Sequence, residues 1–136
     1  MMSVRAYLLL AFLALSCAPV RADDCNNAAD QRTMDECAGQ SFKKSDAELN
    51  AVYKQILQRL KDRADAKALL TAAQRAWLTL RDAECKFSSS GVEGGSVYPM
   101  IYAMCLDGAT KQRTAALKAY LDCKEGDTSC PVPGSP

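Results

Sequence analysis

Two runs of polar and aromatic residues recur at helical spacing, and they have the greatest capacity for specific contacts in this chain. One run extends from Asp46 to Tyr53 and the other from Gln74 to Arg81. Steps of three and four residues place the members of each run on one face of a helix. Helix faces that pack together are ordinarily apolar, so we predict a polar network between two helices. Its predicted members are Asp46, Asn50, Tyr53, Gln74, Trp77, Arg81 and Arg113.

The predicted role of this network is structural. A buried polar side chain between helices has to be hydrogen-bonded, and such networks fix how the helices align. A half-buried Asp–Arg pair is also commoner as structure than as a binding site. The alternative is a small-molecule pocket around Asp46, Trp77 and Arg81, which would require an apolar cavity beside the Asp46–Arg81 pair.

Histidine and the common cofactor-binding motifs are missing from this chain. The chain has no histidine, which excludes the usual general base and the usual partner of a nucleophilic Ser or Cys. It contains no C-x-x-C motif, no P-loop and no G-x-G-x-x-G. Asp46 and Glu48 lie two residues apart on a predicted helix and point to different faces, so they do not form an acid–base pair. We predict a protein that is not an enzyme and holds no metal and no cofactor.

The N-terminus predicts export. Arg5 precedes an apolar stretch from Ala6 to Leu15, and Val20 to Ala22 forms a small-residue cleavage site. Residues 1–22 are therefore predicted to be a signal peptide, and the apolar stretch is too short to span a bilayer. The mature protein would be periplasmic or secreted. A lipid-modified N-terminus at Cys17 is a less favoured alternative, because the residues before it match a lipidation signal poorly.

The charge balance excludes one class of partner. The chain carries 17 Lys and Arg against 16 Asp and Glu. Cleavage after Ala22 would remove two arginines and leave the charge near zero. Nucleic-acid binding requires a basic stripe on the protein surface, so we predict no nucleic-acid partner.

Apolar periodicity predicts three helices. Asp30, Asp65 and Ser96 are the predicted N-caps, and Gly39 is a position where the first helix could break. Short connections make neighbouring helices antiparallel. The predicted fold is all-α, a small antiparallel three-helix bundle stapled by disulfides, with a domain at 23–122 and a flexible C-terminal tail at 123–136. The predicted apolar stripes are Phe42, Leu49, Tyr53, Ile56 and Leu60; Leu69, Ala73, Ala76, Leu80, Ala83 and Phe87; and Ile101, Cys105, Ala109, Ala116 and Tyr120.

The centres of the two connections predict which residues face each other. In an antiparallel hairpin, residues equally distant from the turn lie at the same height. The first turn is centred near residue 63 and the second near residue 95. The predicted facing pairs are Asp46–Arg81, Asn50–Trp77, Tyr53–Gln74, Cys85–Cys105 and Trp77–Arg113.

The cysteines predict disulfides. Seven cysteines are present, and Cys17 lies in the predicted signal peptide. An even set in a small exported domain indicates disulfide bonds, although six cysteines allow many connectivities. Adjacent packed helices are close enough for a bridge between facing positions. The predicted bridges are Cys85–Cys105, Cys25–Cys37 and Cys123–Cys130.

The connection between the second and third helices is the predicted partner-binding segment. It is rich in Gly and Ser and cannot continue a helix. A Cys85–Cys105 bridge would pin its base, and a pinned loop loses less entropy on binding. The alternative is that it only joins two helices. The candidate residues are Lys86, Ser88, Ser89, Ser90, Gly91, Glu93, Gly94, Gly95 and Ser96.

These patterns together resemble a known family. With the two polar runs, the residues Cys25, Met34, Cys37, Gly94-Gly95-Ser96, Cys105, Thr110 and Arg113 make the chain similar, from about Cys25 to Leu121, to the lysozyme inhibitor LprI-like domain of bacterial secreted proteins and lipoproteins. The resemblance implies an exported helical domain that binds and inhibits lysozyme, with c-type lysozyme as the candidate partner.

An inhibitor of lysozyme needs no catalytic apparatus. It has to occlude the sugar-binding cleft and offer donors to the two acidic residues there. Hydroxyl and backbone N–H groups from Ser88 to Ser96, with Lys86 nearby, are suitable donors. Two alternatives are a structural or interaction module of the bacterial envelope without lysozyme activity, and a small-molecule binder.

Overall fold

The computed structural model describes residues 25–134, so the predicted signal peptide and Cys17 lie outside the described residues. Helix α1 spans Gln31–Arg59, α2 spans Ala64–Ser89 and α3 spans Tyr98–Leu121, and a 3₁₀ turn at Ser90–Val92 follows α2. No strand occurs between residues 25 and 134. The predicted all-α, three-helix architecture is confirmed.

The start of α1 agrees with its predicted cap. The Asp30 carboxylate accepts hydrogen bonds from the Thr33 hydroxyl at 2.7 Å and from the Thr33 backbone N–H at 3.0 Å. These bonds hold the pKa of Asp30 below its ordinary value. Helix α1 continues through Gly39 without interruption, because one glycine costs a helix only about 1 kcal/mol and packing outweighs that cost.

The other two predicted caps are wrong. Helix α2 begins directly after Arg63, whose backbone N–H closes a tight turn on the Leu60 carbonyl at 3.0 Å. Asp65 therefore lies inside the first turn, where its charge still favours the helix dipole. Helix α3 begins after Val97, so Ser96 belongs to the preceding turn.

The apolar core lies at one end of the bundle. Helices α1 and α3 form the closest helix pair, although they are not consecutive in the chain. Three residues of the predicted α1 stripe are buried there, and α2 contributes partly buried side chains. In α3 the buried positions lie one residue after several of the predicted ones. The buried core residues are Leu49, Val52, Ile56, Leu60, Leu117, Cys123 and Val132.

The predicted apolar stripe of α2 is wrong, because it faces solvent. Leu69 is 73% exposed, Leu80 55% and Phe87 82%, and the alanines between them are also exposed. The opposite face is the buried one and carries Gln74, Arg81, Cys85 and Ser89. The Cys85 disulfide and the large partly buried Leu70 and Trp77 lie on that inward side. The alanines on the outward face offer little area to bury, so their exposure costs little.

The predicted flexible tail also differs from the structure, as far as Gly134. Val132 is 4% exposed and packs in the core. The Arg63 guanidinium donates to the Pro131 carbonyl at 3.2 Å. One buried apolar side chain and one disulfide are enough to hold this short segment against the bundle.

Three disulfides connect the predicted cysteine pairs. Their Cα–Cα distances are 5.6 Å for Cys25–Cys37, 5.6 Å for Cys85–Cys105 and 5.7 Å for Cys123–Cys130. These values lie within the usual range for a disulfide. The second bridge joins α2 to α3 at the base of the connection between them, and the third closes the tail.

Candidate functional site

Arg81 is the centre of the polar layer between the helices. Its side chain is 8% exposed. The guanidinium donates from Nη1 to Asp46 Oδ1 at 3.4 Å and to Thr110 Oγ1 at 3.1 Å, and from Nε to Asp82 Oδ1 at 2.9 Å. These contacts reach α1, α2 and α3. A buried cation with two carboxylates and a hydroxyl around it is satisfied rather than poised for a ligand.

Trp77 lies between two arginines. The guanidinium carbon of Arg81 is 5.2 Å from the Trp77 ring centroid, and that of Arg113 is 5.8 Å away. Arg81 also lies 5.3 Å from the ring centroid of Phe42 on α1. Arg113 Nε donates to Gln74 Oε1 at 3.0 Å. These cation–π contacts let the two cations pack against apolar rings.

Two predicted members of the network make contacts other than the predicted ones. Asn50 is exposed, and its amide donates to Asp46 Oδ2 at 3.1 Å. The Tyr53 hydroxyl donates to Thr71 Oγ1 at 3.2 Å, one turn away from the predicted Gln74. The predicted pairing of α1 with α2 is therefore correct at Arg81. Nearer the first turn, the observed contact of Tyr53 is three residues away from the predicted one.

Sequence reasoning did not assign three polar residues of this region to the network, although Thr110 was among the residues that carry the family resemblance. Thr110 is fully buried and accepts from Arg81, and its position three residues before Arg113 was the available signal. Asp82 pairs with Arg81. Asp107 on α3 accepts from Ser41 at 3.0 Å and from Lys111 at 2.7 Å.

Asp107 combines burial with hydrogen bonding. Desolvation opposes its ionisation, but bonds from Lys111 and from Ser45 and Ser41 outweigh that effect, so the pKa of Asp107 lies below its ordinary value. Its other oxygen, Oδ1, is buried with no hydrogen-bond partner among the described residues.

The surface beside Trp77 and Arg81 does not form the apolar cavity that a ligand site there would require. An open depression of about 290 Å³ lies there. Apolar and polar residues line it in comparable numbers: Leu80, Ala109 and Ala116 with Glu84, Gln112 and Arg113. Between residues 25 and 134, no group of His, Cys, Asp and Glu is arranged to hold a metal ion.

The connection from α2 to α3 is compact. Ser89 is buried and its hydroxyl donates to the Cys85 carbonyl at 2.7 Å, while Ser88 and Ser90 donate to the carbonyls of Cys85 and Phe87. These three hydroxyl protons are therefore used inside the protein, which differs from their predicted role as donors to a partner.

Two glycines are needed in this connection. Gly94 has φ +78°, a left-handed conformation that side chains other than glycine rarely adopt. Gly95 approaches the Val92 carbonyl so closely that a Cβ would lie 3.1 Å from its oxygen. Lys86, Glu93 and Ser96 are exposed around this turn. The end of the bundle is thus a rigid, solvent-exposed turn beside exposed Phe87.

Comparison with known proteins finds a match to one protein family. The family model described as "Lysozyme inhibitor LprI" matches residues 23–117. An uncharacterized protein of Rhizobium meliloti (strain 1021) is 35% identical over 131 residues, covering 85% of this chain and 94% of that protein. No solved structure matches. Among residues 25–134, no helix is both long and apolar enough to cross a membrane.

Proposed function

The chain belongs to the LprI lysozyme inhibitor family, and from that premise we propose that it is an exported protein that binds lysozyme and occludes its active-site cleft. The observation that carries this proposal is the family match over nearly all of the predicted mature domain. The family consists of inhibitors rather than enzymes. The polar groups around Arg81 hydrogen-bond one another, which supports a structural role for them.

The proposed binding surface is the end of the bundle formed by Lys86, Phe87 and the turn at 88–96. Phe87 is 82% exposed, and large exposed aromatic side chains are typical anchors of protein interfaces. The Cys85–Cys105 bridge and the internal serine bonds hold the turn in one conformation, so binding would cost little conformational entropy.

Lys86 supplies the charge for this surface. Its side chain is exposed, at the last turn of α2 beside Phe87. A lysozyme cleft carries two acidic residues, of which one is ionised, so a cation next to an aromatic anchor is complementary to it. The ammonium group of Lys86 replaces the serine hydroxyls as the proposed donor, because those hydroxyls donate to the α2 backbone.

The test is a lysis assay with purified mature protein and c-type lysozyme acting on bacterial cells. We expect inhibition at micromolar protein. Phe87→Ala should weaken it by roughly thirtyfold, the effect of losing an interface anchor worth about 2 kcal/mol. Leu69→Ala is the matched control, because Leu69 is exposed on the same face of α2, about 27 Å along the helix. Wild-type protein that does not slow lysis refutes the proposal, and equal effects of the two variants refute the proposed surface.

An envelope interaction module is the second candidate function. The observation that favours it is the outward apolar face of α2, which runs from Leu69 to Phe87. Contiguous exposed apolar surface marks protein contacts more often than chance. If lysozyme does not bind, this face is the surface on which a partner from the envelope is to be sought, by crosslinking through a photoreactive group at Leu80.

A further inference from the structure

An apolar groove lies at the end of the bundle opposite the α2–α3 connection. It has a volume of about 260 Å³ and is formed by the N-terminal half of α2, the C-terminal half of α3 and the tail. Its floor contains the buried residues Leu60 and Val132. The other lining residues are Ala66, Leu69, Leu70, Ala73, Arg113, Tyr120 and Pro131.

The groove exists because α2 and the tail meet the core only through a few side chains. Ala66 and Leu70 are the α2 residues that reach the core here, while Leu69 and Ala73 stay exposed along one wall. The tail forms the facing wall. The Cys123–Cys130 disulfide and the bond from Arg63 to the Pro131 carbonyl hold that wall in place. A preformed wall lowers the entropic cost of binding.

Within the part of the chain that the structure describes, Arg113 is the one residue with a formal charge that lines the groove. Its Nε is committed to Gln74 and its guanidinium lies over Trp77. The structure gives its two terminal nitrogens no hydrogen-bond partner among residues 25–134. They retain donors in the planar arrangement that suits a carboxylate.

From the apolar lining and this single cation, we propose that the groove binds a small amphipathic carboxylate. The carboxylate pairs with the Arg113 terminal nitrogens, and the apolar body lies against Leu69, Leu70 and Val132. A volume of about 260 Å³ holds roughly nine water-sized groups, such as methylenes, at about 30 Å³ each. That is the size of a medium-length acyl chain. A monoanion matches one arginine, whereas a doubly charged headgroup would leave a charge unpaired beside apolar walls.

The experiment is a titration of the mature protein with sodium octanoate below its micelle concentration, with no lysozyme present. The chain has one tryptophan, and Arg113 contacts it, so Trp77 fluorescence reports on the arginine; calorimetry gives the affinity. We expect saturable binding of one octanoate per chain, and binding of octan-1-ol and octylamine weaker by about tenfold or more, because the charged hydrogen bond is lost. Equal affinity for all three compounds overturns the proposal.

Two pairs of variants locate the site. Arg113→Gln should weaken octanoate binding by about tenfold or more. Arg113→Lys, which keeps the charge but lacks the planar pair of donors, should bind more tightly than Arg113→Gln and more weakly than the wild type. Ala73→Phe fills the groove and should abolish binding. Ala76→Phe places the same ring on the exposed face of α2 outside the groove and should leave binding unchanged.

Sedimentation identifies a competing occupant. If the groove is covered by a second copy of the chain, the protein is dimeric at the titration concentration and octanoate has no access to the groove. A monomer that binds octanoate supports the proposal. A dimer that persists with octanoate and loses its association in Ala73→Phe overturns it. The assay is independent of lysozyme inhibition, so either proposal can fail without the other.

Discussion

The Arg81 guanidinium on α2 contacts the Asp46 carboxylate on α1 at 3.4 Å, although 35 residues separate them in the chain. The pair is asymmetric: Arg81 is 8% exposed and Asp46 37%. Asp82 provides a second carboxylate for the same cation. Loss of the Arg81 side chain would therefore leave buried groups unsatisfied. Loss of the Asp46 carboxylate would cost less, because Asp46 is partly exposed to solvent and Asp82 still pairs with Arg81.

This asymmetry predicts unequal effects of two substitutions. Arg81→Ala should lower the free energy of unfolding by about 3–5 kcal/mol, because it removes the contacts to Thr110, Trp77 and both carboxylates. Asp46→Asn should lower it by about 1 kcal/mol or less, as for a partly exposed pair. Urea unfolding followed by circular dichroism measures both. A larger cost for Asp46→Asn than for Arg81→Ala would contradict the structural role of Arg81.

The disulfides predict a graded loss of stability. Replacing Cys85 and Cys105 by serine reopens a loop of 20 residues and should cost about 3 kcal/mol. Replacing Cys123 and Cys130 reopens one of seven residues and should cost about 2 kcal/mol. Thermal unfolding of the two double variants shows which disulfide contributes more to stability. Non-reducing peptide mapping of the wild type is the control, and a peptide joining Cys85 to Cys25 or Cys37 would refute the pairing.

The carboxylates with lowered pKa values predict acid sensitivity. The pKa of Glu48 is lowered by its hydrogen bond and ion pair with Lys118, and that of Asp107 is lowered as described above. A lowered pKa in the folded state adds stability above the ordinary pKa, and this contribution disappears as the pH falls through the folded-state pKa.

The melting temperature should therefore drop when the pH falls from about 5 toward 2. Asp107→Asn should make this dependence shallower, because the variant has one fewer carboxylate to protonate. Glu36→Gln is the control, since among residues 25–134 Glu36 pairs only with the exposed Arg32 on the same helix. If the melting temperatures of the wild type and Asp107→Asn fall in parallel as the pH is lowered, Asp107 does not cause the acid sensitivity.

The packed tail predicts a cost for shortening Val132. Val132→Ala should lower the free energy of unfolding by about 1–2 kcal/mol, from two methyl groups removed from a buried site. Val92→Ala in the connection before α3, where the side chain is only half-buried, is the matched control and should cost less. Equal and small effects of the two changes would mean that the tail does not pack on the core in solution.

Several features of the protein follow from the sequence alone. Two short connections make the helices antiparallel, and in such a hairpin distance from the turn sets height. The Asp46–Arg81 and Cys85–Cys105 contacts could therefore be predicted by counting residues. The helical class of the fold and the number of helices could also be predicted from the sequence, because periodicity is a local property. The slip at Tyr53 shows the limit of counting, since small changes in helix crossing accumulate along the pair.

The tertiary structure decided which face of α2 is buried. Local periodicity places Leu69, Leu80 and Phe87 on one side of that helix, but it does not show which contacts the neighbouring helices make with either side. The other side provides a disulfide to α3, the broad ring of Trp77 and the hydrogen-bonded Arg81, and together these bury more surface than an alanine-rich stripe can. The packing of the tail also depends on the tertiary structure, because the site that receives Val132 exists only once Leu60 and Leu117 have come together.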